Sequence, residues 1–348
     1  MKRKLLNILF FFAVMGLTVY VIYRNHDIGK VFSAICSANK MWLIPAVILA
    51  VLFVVCESIM IHDLLHMQGH KVSLRKCISY SFIGYFYSGI TPSASGGQPM
   101  QLYYMRKDGN GLSDSSVVLL TVAFYSRTVL SVIGIFLLIF FHGMLVSFFQ
   151  GVFFIYWLGL ILNTLIASAI LSVMVWPGLV RRIVSVIEKL LVRIHVFKHS
   201  QMRLDKIESV MEGYRTAVVF MRQHKGKAVY LFFFTLFQRF TLYILTWFVY
   251  KSFALSGDNF LNVVLLQAAI YVAVEMLPLP GSQGITELMY HNIFGTIFGS
   301  MLTPSMLVVR GLDFYLLMII GLIYVLVRMF EVKKGGSRPQ NSSGCQQA

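Results

Sequence analysis

Two stretches decide how this chain is to be read: Gly89-Ile-Thr-Pro-Ser-Ala-Ser-Gly-Gly-Gln-Pro99 and Pro278-Leu-Pro-Gly-Ser-Gln-Gly-Ile-Thr-Glu287. Each interrupts an apolar segment, 78–90 in the first case and 261–277 in the second, and each is followed by a resumed helical pattern at 99–108 and 285–302. Neither apolar arm reaches the roughly 20 residues needed to cross a bilayer. Both segments therefore read as broken or re-entrant helical hairpins.

Around them lie six apolar runs long enough to span: 5–23, 41–62, 117–141, 152–176, 228–250 and 305–329. The expected fold is an all-α polytopic membrane protein with about six full spans plus two broken hairpins. Composition agrees, since 57% of the 348 residues are hydrophobic and 13% charged, about half the charge of a soluble domain. The net charge of +16 is spread between apolar blocks, which argues against a nucleic-acid partner and for an anionic membrane surface. The N-terminal run after Lys2, Arg3 and Lys4 is too long for a signal peptide and lacks a cleavage site, so it reads as a retained span. Cys36, Cys56, Cys77 and Cys345 show neither disulfide nor zinc spacing.

Basic residues set the expected orientation. They gather at the N-terminus, at Lys71, Arg75 and Lys76, at Arg106 and Lys107, through the 177–227 connector, and at Lys333, Lys334 and Arg338. The 142–151 segment has none, and 251–260 has only Lys251. Both termini are expected in the cytoplasm of an inner or plasma membrane. The connector is expected to carry a basic amphipathic surface helix over Leu179–Phe197, and the membrane domain (1–331) a disordered tail (332–348) with an inconsequential sequon at Asn341.

Shifting the chain by about 186 residues lays the second broken segment on the first, and also superposes 41–62 on 228–250 and 117–141 on 305–329. The order is the same in both halves (about 41–141 and 228–329): full span, hairpin, full span. Because the leading spans run in opposite directions, this is an inverted repeat, with the hairpin tips expected near the midplane around a polar site.

At these two motifs, and over nearly the whole chain from about residue 5 to 330, the sequence resembles the lysylphosphatidylglycerol synthase transmembrane (flippase-like) family. In the two-domain members a flippase precedes a soluble domain that transfers an aminoacyl group to phosphatidylglycerol. Only 17 residues follow Glu331 here, so the resemblance implies a stand-alone flippase-like domain, not by itself a phosphatidylglycerol lysyltransferase, that moves an anionic or aminoacylated phospholipid such as lysylphosphatidylglycerol and thereby supports resistance to cationic antimicrobial peptides. A homodimer or a separate synthase partner is compatible with that reading.

Candidate site residues come from cost and chemistry. Charges within spans are expensive and mark function: Arg127 and Arg239 near mid-span, Arg310 and Asp313 three apart on the last span, Glu275 just before the second tip, and Glu287 just after it. The arginines suit a lipid phosphodiester, which their planar donors grip bidentately; the competing reading is an internal ion pair with Glu275, Glu287 or Asp313. At the tips, Ser93, Ser95, Gly96, Gly97 and Gln98, and Gly281, Ser282 and Gly284, are expected to turn free amides toward an anion. Glu287 is either a helix cap or the counter-charge of a lipid amine, its repeat partner being the neutral Gln101. Glu57 is expected to reach headgroups at the cytoplasmic end of its span. His62, His66 and His70 read as an interfacial polar face, Gly69 ending their helix, and no metal or cofactor is expected. A membrane-embedded lipid enzyme and a small-solute transporter remain as alternatives, the first lacking a nucleophile–base pair.

Overall fold

The computed structural model describes residues 28–91, 94–175, 225–277, 279, 282 and 284–335. The expected first span, nearly all of the 177–227 connector and the end of the tail lie outside the described residues, as do Ser93 and Gly281.

The described chain is an all-α membrane protein. A short helix α1 (Ile28–Ser37) precedes α2 (Lys40–Met67), whose N-cap Asn39 accepts the Met41 amide. Then come α3 (Leu74–Gly89), α4 (Gly97–Lys107), α5 (Leu112–Phe140), a single short helix α6 (His142–Phe148) and α7 (Phe153–Val175). The second half begins with α8 (Lys225–Ser252) and continues through α9 (Phe260–Val274), α10 (Ile285–Phe298) and α11 (Leu302–Arg310). A π-helical turn, Gly311–Leu316, joins α11 to α12 (Leu317–Gly335). The last helix thus runs past the expected end of the membrane domain at residue 331.

Among the described residues, five segments are long and apolar enough to cross a membrane: Lys40–Met67, Leu112–Phe140, Phe153–Ser172, Lys225–Ser252 and the run Ile285–Phe330. That last run is not one straight rod. Gly299 takes φ +52° at the end of α10, and α10 packs back against α11. With 16, 11, 15 and 14 residues, α3, α4, α9 and α10 are each about 17–24 Å long at 1.5 Å per residue, short of the hydrocarbon thickness of about 30 Å. They form two hairpins, α3–α4 and α9–α10.

The order long helix, hairpin, long helix occurs in both halves, and the packing shows their relative polarity. Along the α2–α8 contact the Asn39 amide donates to the Ser252 carbonyl, the Gln238 side-chain amide to the Phe53 carbonyl, and the Thr235 hydroxyl to the Met60 sulfur. Residue numbers rise on one helix as they fall on the other, so α2 and α8 are antiparallel. Each hairpin's first arm also packs on the closing helix of the opposite half, α3 on α12 and α9 on α5. Gly321 makes the α3–α12 contact so close that a Cβ would strike the Phe82 backbone, and Gly159 on α7 does the same against residues 272–273 of α9. Outward, α7 and α12 expose Phe154, Leu165, Ile319 and Phe330 as an apolar belt suited to lipid.

This arrangement leads to a topology test. In a chain freed of native cysteines, single cysteines at Ser147 and Asn259 are expected to react with an impermeant thiol reagent from outside, and those at Lys76 and Lys107 only after permeabilisation. Labelling of Lys107→Cys in intact cells would reverse the orientation.

Candidate functional site

The hairpin tips are built from backbone that ordinary helix geometry does not provide. Ala94 at the first tip (φ +53°) and Ser282 and Gly284 at the second (φ +52° and +80°) all take left-handed conformations. Those of Ala94 and Ser282 cost on the order of 1–2 kcal/mol each. Internal hydrogen bonds hold them. Thr91 Oγ1 donates to the Tyr87 carbonyl and accepts the Gly96 amide, both near 2.8 Å. The Ser282 amide donates to the Leu279 carbonyl (3.1 Å) and its hydroxyl to the Val274 carbonyl (3.0 Å). The Gly284 amide donates to Glu287 Oε2 (2.6 Å).

The expectation of free tip amides is therefore corrected for Gly96, Ser282 and Gly284, whose N–H groups are used inside the tip. Gly97 serves packing: a Cβ there would meet the Ser88 hydroxyl and, at 2.7 Å, the Gly84 carbonyl oxygen. Ser95, Gln98 and Ser282 do line the space between the tips.

That space is a cavity of about 490 Å³ reached by α2, α3, α4, α5, α7, α8, α9 and the α11–π junction. Its charged lining comprises Glu57, Arg127, Arg239, Glu275, Arg310 and Asp313. Two ion-pair triads organise it. In the first, Glu275 sits between two arginines: Arg127 Nη1 donates to Oε1 (2.8 Å), and Arg239 donates through Nη1 to Oε2 (2.7 Å) and through Nη2 to Oε1 (3.1 Å). Ser126 adds its hydroxyl as an acceptor for Arg239, whose guanidinium also lies 5.7 Å from the Phe53 ring centre. The Arg239 Nε–H has no hydrogen-bond partner.

In the second triad Arg310 lies between two carboxylates. Its Nε donates to Glu287 Oε1 (3.0 Å), and its Nη1 is 3.7 Å from Asp313 Oδ1. Glu287 thus caps α10 with one oxygen and binds Arg310 with the other, which places it behind the cavity wall. Asp313 belongs to the π-helical turn; Tyr271 donates to its Oδ2 (2.7 Å), and Tyr85 to its carbonyl (2.5 Å). Such turns leave carbonyls open to side chains and recur at functional sites.

Three groups were misread or missed in the sequence. Glu57 does not stop at the headgroups: α2 continues to Met67, so this carboxylate faces the cavity, where Gln101 Nε2 donates to it at 2.7 Å. Tyr271, one helical turn before Glu275, and Ser126, beside Arg127, belong to the same network. On the cytoplasmic side of the expected topology, Asp108 accepts from Tyr80 (2.6 Å) and Arg328 (2.5 Å) and so ties the first hairpin to α12. The histidines form no metal cluster among the described residues: His66 pairs with the Val72 carbonyl, His70 with Asp114, and Gly69 ends the helix at φ +84°.

Fold and site together define a helical membrane protein whose two re-entrant hairpins enclose a charged cavity within the span. The sequence matches the lysylphosphatidylglycerol synthase TM region family over residues 5–321, and the chain belongs to that family. No curated protein matches the chain with significance. Membership ties it to membrane-lipid function.

Proposed function

We propose that the chain is a lipid translocase that passes a phospholipid headgroup through the cavity while the acyl chains stay in the bilayer. The observation that carries this reading is the Arg127–Glu275–Arg239 triad, two cations around one anion, lining a cavity that also has an apolar wall. Leu119 and Val122 on α5 and Ile166 and Ile170 on α7 form that wall, and Leu165, next to Ile166 on α7, is exposed outside it. A headgroup at the triad would therefore leave its chains against apolar side chains continuous with the lipid-facing belt. A phosphodiester suits the triad's excess positive charge. The family's association with lysylphosphatidylglycerol makes that lipid and its parent phosphatidylglycerol the first cargoes to test.

The test is translocation of acyl-labelled phospholipid in proteoliposomes, read by quenching from outside. Charge-assisted hydrogen bonds are worth about 1.5–3 kcal/mol, so Arg127→Ala and Arg239→Ala are each expected to slow translocation roughly 10- to 100-fold. Lysine at either position should restore only part of the rate, because it lacks the planar fork. Folded alanine variants that move lipid at the parental rate would remove the arginines from the mechanism.

A further inference from the structure

The buried apolar side chains gather into two main cores, one around each hairpin. The first hairpin contributes Tyr80, Ile83, Tyr104 and Met105 to one; the second contributes Ile270, Met289, Ile293 and Phe294 to the other. Among the described residues, Phe82 alone of the first hairpin is buried in the second core. The cavity is lined from both, by Leu119 of the first core and by Leu242 and Ile270 of the second. The long helices α2 and α8 run through both: Met60 and Leu231 belong to the first core, Val54 and Leu242 to the second.

The α11–α12 run passes between the same two groups, and its helix is interrupted on the way. α11 belongs with the second hairpin: Arg310 donates to Glu287 of α10, and Tyr290 of α10 donates to Ser305 (3.2 Å). α12 belongs with the first hairpin: Tyr324 stacks on Phe82 at 5.3 Å, and Arg328 binds Asp108. Gly89 lies so near α12 that a Cβ would meet the Met318 sulfur at 2.8 Å. The interruption is the π-helical turn Gly311–Leu316, where the regular hydrogen-bond ladder is locally rearranged. Within it a single residue is held by both hairpins. The Asp313 carbonyl accepts from Tyr85 on α3, and its Oδ2 accepts from Tyr271 on α9. The shift of about 186 residues that aligns the repeats sets Tyr85 against Tyr271, so equivalent tyrosines from opposite halves meet at one point.

We propose that this turn is a hinge: the first hairpin with α12 and the second hairpin with α11 rock against each other about Gly311–Leu316, opening the cavity to one face as it closes to the other. Asp313 is the shared pivot, a positioning residue that Tyr85 and Tyr271 hold. The proposal rests on the lipid-translocase reading for what the movement carries and on the packing for the movement itself. Rocking of one bundle against another is how inverted-repeat transporters alternate, and helices bend where a π-turn interrupts them. The two tyrosine hydrogen bonds at the pivot are worth about 0.5–1.5 kcal/mol each, small enough to break and reform within a transport cycle.

The experiment measures distances between spin labels by double electron–electron resonance, on the full chain freed of native cysteines in nanodiscs of phosphatidylcholine and phosphatidylglycerol. One label pair is Lys107→Cys with Lys225→Cys, at the base of the first hairpin and the start of α8; the other is Lys40→Cys with Ser300→Cys, at the start of α2 and beyond α10. All four positions are exposed. Each pair is expected to show two distance populations. Tyr85→Phe, which deletes one hydroxyl, is expected to shift both pairs away from the distance of the present structure roughly three- to tenfold, one pair widening as the other narrows. Tyr271→Phe is expected to shift them too, and it serves if Tyr85→Phe does not fold. Tyr156→Phe removes a like bond, to the Gly134 carbonyl at 2.8 Å, that joins α7 to α5 away from the hinge, and should leave the ratios unchanged. A single distance at both pairs in the parental chain and both pivot variants overturns the hinge, as does an equal shift with Tyr156→Phe. If the populations respond as expected and labelled lipid does not move, the translocase reading falls and the hinge stands. If lipid moves through a chain with one distance at both pairs, the hinge alone is refuted.

Discussion

Replacing Glu275 by Gln is expected to cost about 3–5 kcal/mol of stability, the range for breaking a buried ion pair by removing one partner. Glu275 supplies the anion for both Arg127 and Arg239, whose side chains are 16% and 6% exposed. Without it two guanidiniums face each other with no carboxylate bridging them, Arg239 keeping the Ser126 hydroxyl and the Phe53 ring. Removing one arginine is a smaller insult, because Glu275 keeps the other. Arg127→Leu retains a neutral pair in which Arg239 makes two hydrogen bonds to the carboxylate, so its cost should be well below that of Glu275→Gln. Thermal unfolding of the purified variants in detergent tests the order. A Glu275→Gln protein as stable as Arg127→Leu would show that the triad does not act as a unit.

What the sequence reveals of this architecture follows from the range of the interactions involved. A spanning helix is a local property of an apolar run, and α5, α7 and α8 begin or end within about five residues of their expected limits. The hairpins are legible for a related reason: Pro, Gly and Ser cluster where each helix must break, and the arms are too short to cross. Even their opposite polarity follows from counting spans between basic loops, and the antiparallel α2–α8 pairing agrees with it.

Partner choice is another matter. Mid-span cost marks Arg127, Arg239, Glu275, Arg310 and Asp313 as candidates, yet Glu275 joins residues 148 and 36 positions away, and no local pattern says that one carboxylate serves both. Glu57 was misplaced because hydropathy fades after residue 62 while the helix does not; His62, Asp63 and His66 continue α2 to Met67. The tip amides were misjudged for lack of a view of their neighbours. Thr91, five residues before Gly96, and Glu287, three after Gly284, satisfy donors that composition alone leaves free. Glu287 at that spacing is nevertheless a capping pattern that a sequence can show.

The second large effect is expected at Arg310, and it mirrors the first. Arg310→Gln removes the cation between Glu287 and Asp313, whose side chains are 8% and 3% exposed, and leaves two buried carboxylates with no arginine between them. Glu287 still caps α10 through Gly284, and Asp313 still receives the Tyr271 hydroxyl, but neither contact brings a charge. The expected loss is again about 3–5 kcal/mol. The discriminating variant is the triple change Glu287→Gln, Arg310→Gln, Asp313→Asn, which deletes every charge of the triad and keeps side-chain size and hydrogen-bonding capacity. If the loss at Arg310→Gln comes from stranded carboxylates, the triple variant should be more stable than the single one by about 1–3 kcal/mol, the size of coupling seen among contacting groups. A triple variant less stable than Arg310→Gln would mean that the arginine acts through its packing, 4.7 Å from the Phe314 ring centre, and that the negative wall of the cavity does not depend on it for charge balance.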